Sequence, residues 1–176
     1  MAGADYNGIE ALFRIAKKGE VLDTFAIEVL TFHAAVEHEL GVVLRKLLPH
    51  PDMILTGQPK LSFPHKSRLL CALWRRDPAD AEKLNTVLKA LEDLRNEVAH
   101  PGDNNRLKSC KATLTQAFRK IEPSAGDDPS MLMIAQGISM FIADDAGTLA
   151  DFKATLDAFD VVVNEQMPAV LGAKQA

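Results

Sequence analysis

Three polar residues stand close together in the stretch LRNEVAHPGD, residues 94–103: Arg95, Asn96 and His100. An arginine can stabilise a developing anion. A histidine can take or give a proton near neutral pH, and an asparagine can orient either one or a ligand between them. On a helical wheel at about 100° per residue, Arg95 and His100 point roughly 140° apart. They can converge only if the helix ends. Pro101 supplies that ending, because the residue before a proline is pushed away from helical dihedrals. A histidine at a helix C-terminus also has its charged form favoured by the helix dipole. The plainer alternative is that His100 only caps the helix, with Arg95 held in a structural ion pair.

The helix carrying these residues is announced by RRDPADAEKL. Asp77 is the expected cap, Pro78 the first helical position, and Asp80 and Glu82 complement the dipole. Leu84, Val87, Leu88, Leu91, Leu94 and Val98 form one apolar arc, and Arg95 falls inside it, between Leu88 and Leu91. Arg95 is therefore expected to face the core or a partner chain, where a guanidinium needs acceptors. Asn96 and His100, four residues apart, share a different, polar face.

A long helix from about Val21 to Leu48 offers partners, with apolar residues Leu22, Phe25, Val29, Phe32, Val36, Leu40, Val43 and Leu47. His33 lies on that apolar face, either as a core histidine or as support for the motif. Glu37 is four residues on and within its reach. Glu37 is the first-choice carboxylate for Arg95. A metal held by His33, Glu37 and His100 has no second carboxylate or CxxC to support it, so no metal and no cofactor are expected.

The remaining elements read as helices too. They are Ile9 to Lys18; a helix capped by Ser62 that reaches Trp74; Asn105 to Ile121; a helix restarted by Asp128-Pro129 and ending near Asp145; and Thr148 to Leu171. PHPDMILTGQPKLSF reads as a loop. The whole is expected to be one all-α domain over residues 1–176, an up-and-down bundle of six or seven helices. Its core is placed at about residues 20–121, with C-terminal helices at about 128–172 packed on it.

The chain has 176 residues and a formal net charge of −4, so it is no generic polyanion binder. Its bases are nonetheless local. Lys60 to Arg76 and Arg106 to Lys120 contain no acid, whereas Glu122 to Glu165 contains Lys153 as its only base. These basic segments could hold a phosphate backbone or could pair with the acidic C-terminal part. Cys71 and Cys110 have no metal-binding or catalytic context. No signal peptide and no membrane span are expected, and the chain reads as cytoplasmic.

LRNEVAHPG resembles the R-x(4–6)-H motif of HEPN domains, with Arg95, the polar Asn96 after it, and His100. The order of FHAAVEHELGVVLRKLL, a proline-containing loop, KLSFPHKSRLLCAL and the motif helix agrees with that family. The layout is also similar to the mannitol operon repressor family. The resemblance covers roughly Leu22 to Gly102. It implies a helical homodimer with facing motifs and metal-independent RNA cleavage, often in toxin–antitoxin or defence systems. His100 would then be the general acid or base, Arg95 the phosphate stabiliser and Asn96 the orienting residue. The alternative is a non-catalytic helical regulator that binds a protein partner such as an antitoxin or a transcription factor.

Overall fold

The computed structural model describes residues 24–57, 60–99 and 104–146, and every regular element among them is a helix. There are six: α1 (Thr24–Leu47), α2 (Asp52–Leu55), α3 (Phe63–Ala72), α4 (Pro78–Ala99), α5 (Asn104–Phe118) and α6 (Met131–Ala146). The all-helical expectation holds. The anticipated helices at Ile9–Lys18 and Thr148–Leu171 lie outside the described residues, as do His100 and Pro101.

Helix boundaries follow local chemistry. Asp77 caps α4 as expected, its Oδ1 accepting the Ala79 N–H at 2.9 Å. At α3, Ser62 has the extended backbone of a cap, but its hydroxyl pairs with His65 Nδ1 at 2.7 Å rather than with a backbone N–H. That helix stops at Ala72, short of Trp74. α5 ends at Phe118 rather than Ile121. The restart of α6 belongs to Ser130, whose Oγ accepts the Met133 N–H at 3.1 Å, and not to Asp128-Pro129. Asp128 is instead engaged by Lys111. The segment read as a loop contains the one-turn helix α2, where the Leu55 N–H donates to the Pro51 carbonyl at 2.7 Å.

α1 packs against α3, α4 and α6, while α4 also packs against α3 and α5. One apolar core joins them. Val29, Phe32, Val36, Leu40 and Val43 of α1 meet Leu84, Val87, Leu88, Leu91 and Leu94 of α4, with Phe63, Leu70, Leu114, Phe118 and Ile138 closing the sides. Each fully buried Leu contributes about 2 kcal/mol of transfer free energy. Together they pack α1 against α4, and a group of polar side chains stands at the edge of that interface.

Candidate functional site

Near its C-terminus α4 carries Glu92, Arg95 and Asn96, and their spacings of three and four put the three side chains on neighbouring positions of one surface. Arg95 is half-buried rather than sunk in the core, and Asn96 is exposed. The Arg95 guanidinium donates to Asn96 Oδ1 at 3.0 Å. Asn96 Nδ2 in turn donates to Glu92 Oε1 at 3.4 Å. The other carboxylate oxygen of Glu92 lies 2.7 Å from Nε2 of His33 on α1. His33 is 6% exposed and sits against the Phe63 ring of α3, centroids 4.2 Å apart.

The four side chains form one chain of polar contacts running from the buried interface of α1, α3 and α4 outward to Arg95. Glu92 is held below the usual glutamate range. The His33 hydrogen bond is the main cause, opposed by desolvation and reinforced by the charges of His33 and Arg95 and by the Asn96 amide. A carboxylate so placed stays ionised and acts as an acceptor only.

The structure parts company with the expected role of Glu37. Its carboxylate accepts from Lys66 Nζ of α3 at 2.8 Å, and the contacts to Arg95's neighbourhood come from Glu92. The geometric reason is position on the helix. His33 lies deeper in the interface than Glu37, so it meets α4, while Glu37 turns toward α3. His33 and Glu37 thus point to different partners and form no joint ligand set. Among the described residues no three His, Cys, Asp or Glu side chains gather as a metal site would require.

Adjoining this array and sharing Asn96 with it, Asp93, Asn96, Glu97, Arg106 and Cys110 line an open cleft of about 460 Å³. Glu97 is buried and pairs with Arg106 at 2.9 Å. Two further bases are engaged: Lys111 of α5 with Asp128 at 2.9 Å, and Arg119, just past its end, with Asp127 and the Gly126 carbonyl. Much of the α5 charge therefore meets acids of this chain. Lys111 also lies 5.6 Å from the centre of the Phe25 ring. Burial pushes the Cys71 thiol up to about 11, which leaves it protonated and unreactive at neutral pH.

Glu92 is the residue that sequence reading passed over. Its spacing to Arg95 and Asn96 was open to view; its pairing with a histidine 59 residues away was not. No helix of the described residues is long and apolar enough to cross a membrane. Comparison with protein-family models, curated proteins and solved structures finds no match.

Proposed function

We propose that this chain is a HEPN-like domain that binds RNA and cleaves it without a metal ion, working as a homodimer in a toxin–antitoxin or defence setting. The observation that carries this reading is the accessible Arg95–Asn96 pair at the end of α4, joined by a 3.0 Å hydrogen bond and braced from within. A guanidinium presented in this way suits the charge of a phosphate in its transition state. In this reading His100 takes the proton of a ribose 2′-hydroxyl or supplies one to the leaving oxygen. Arg95 stabilises the phosphorane charge, and Asn96 fixes the guanidinium or a phosphate oxygen.

The test is RNA cleavage by the purified protein in excess chelator. Wild type is expected to cut, and Arg95→Ala and His100→Ala are each expected to lose on the order of 100-fold or more in rate. A wild type that leaves every RNA intact, or variants that cut as well as it does, would sink the reading.

One observation favours a second reading, a non-catalytic regulator or interaction module. Arg106 and Lys111 of α5 and Arg119 just after it are each paired with an acid of this chain, which diminishes the field available to a phosphate backbone. Under that reading the protein binds a protein partner and leaves RNA whole.

A further inference from the structure

The Asn96 carboxamide has two faces, and only one orientation suits its neighbours. Arg95 can only donate, and an ionised Glu92 can only accept. With Nδ2 toward Glu92 and Oδ1 toward Arg95, both contacts are satisfied, at 3.4 Å and 3.0 Å. Turning the amide over would set its oxygen against a carboxylate and its NH2 against a guanidinium. The orientation of Asn96, and through it the place of the Arg95 guanidinium, is therefore decided by the charge and position of Glu92.

Glu92 is itself fixed from a different helix. Its second oxygen meets His33 Nε2 at 2.7 Å, and the imidazole is wedged against Phe63. Three helices thus converge to hold one carboxylate: α1 through His33, α3 through Phe63 and α4 through Glu92 itself. Glu37, the other acid near this face of α1, is occupied by Lys66 and does not compete. Glutamine at this position loses the charge and replaces one acceptor oxygen by an NH2: facing Asn96 that NH2 opposes the Asn96 amide donor, and facing His33 it obliges Nε2 to turn from donor to acceptor.

We propose that Glu92 is a positioning residue for the Arg95–Asn96 pair, with His33 as its buried anchor, so that the packing of α1 on α4 sets the aim of the guanidinium. The consequence for turnover rests on the ribonuclease reading; the consequence for Asn96 and Arg95 geometry does not.

The experiment has two arms on the full chain. In the first, the side-chain amide signals of Asn96 and the Nε–H signal of Arg95 are followed by NMR in wild type, Glu92→Gln, His33→Leu and His33→Gln. Glu92→Gln and His33→Leu are expected to shift both residues' signals, and His33→Gln, which restores a donor, to bring them back toward wild type. In the second arm, RNA cleavage by Glu92→Gln is expected to fall on the order of 10- to 100-fold in kcat, the scale of a misaimed catalytic group, with KM changed little. Glu92→Gln is nearly isosteric, so it keeps the test open if His33→Leu fails to fold. Asn96 and Arg95 signals unchanged in Glu92→Gln overturn the proposal. So does cleavage by Glu92→Gln at the wild-type kcat. If wild type cuts no RNA, the functional reading falls alone, and the NMR arm still decides whether Glu92 sets the pair.

Discussion

At the scale of single residues, the polar array predicts a definite pH signature. Glu92 titrates below its ordinary range in the folded protein, chiefly because of the His33 hydrogen bond. A depressed carboxylate adds stability that is fully present above its unfolded value, about 4.3, and is lost as pH falls through the folded value. Urea unfolding of wild type and Glu92→Gln should therefore show a stability gap near neutral pH that narrows in acid. A gap of equal size at about pH 6 and about pH 3 would contradict this origin for the shift. Arg95 makes a second demand. Arg95→Lys keeps the charge but loses the planar fork that can hold Asn96 and a phosphate together, so its RNA cleavage should be much closer to Arg95→Ala than to wild type. A measured rate near wild type would mean that charge alone suffices. The sequence made Arg95 legible because a charge inside an apolar arc is conspicuous. It pointed to Glu37 because a facing helix is where a buried arginine's partner is usually sought. The acid linked to it, through Asn96, was instead Glu92, one turn back on the same helix, and its anchor depended on the packing of α1 on α4, which no local pattern encodes.

At the scale of elements, most of the bundle was readable from apolar spacing and breakers. α4 begins where Asp77-Pro78 says it should, since cap and proline act locally. The start of α6 was misplaced because two acceptable caps, Asp128 and Ser130, lie within three residues, and an ion pair to Lys111 engages the first. Gly137 shows what the sequence does not reveal about a helix. It lies within α6, where alanine would be favoured by about 1 kcal/mol on propensity. A Cβ there would stand 2.6 Å from Phe118 Cε2, and the Phe118 ring is fully buried, so the ring or α6 must shift. Overpacking of this kind costs about 1–3 kcal/mol, so Gly137→Ala should lower the melting temperature despite the better helix former. Combining it with Phe118→Leu should give less than the sum of the two losses, because the clash is then removed. Additive losses would show that the ring is not the obstacle.

At the scale of the whole molecule, much of the positive charge is directed at the chain's own acids. The chain is net acidic at −4, yet α5 and the turn that follows it hold Arg106, Lys108, Lys111, Arg119 and Lys120 with no acid from Arg106 to Lys120. Three of these five meet acids elsewhere in the fold: Arg106 meets Glu97, Lys111 meets Asp128 and Arg119 meets Asp127. Sequence order alone could not say whether these bases faced solvent or their own chain. The pairs to Asp127 and Asp128 involve well-exposed carboxylates, and such pairs contribute only about 0–1 kcal/mol each. A polyphosphate chain could displace them at little cost, so pairing in the free protein does not by itself exclude RNA from this face. Asp127→Asn with Asp128→Asn removes two negative charges, taking the formal net charge from −4 to −2, and leaves Lys111 and Arg119 without their paired carboxylates. If α5 lies along bound RNA, the double variant should bind it more tightly. The dependence of log K on log salt should also steepen, by up to about 0.7 for each released base that comes to contact a phosphate. Its melting temperature should stay within a few degrees of wild type. Unchanged affinity and an unchanged salt slope would remove α5 from the RNA path. The regulator reading would then gain, with the charges of α5 serving to tie α5 to the α5–α6 connection.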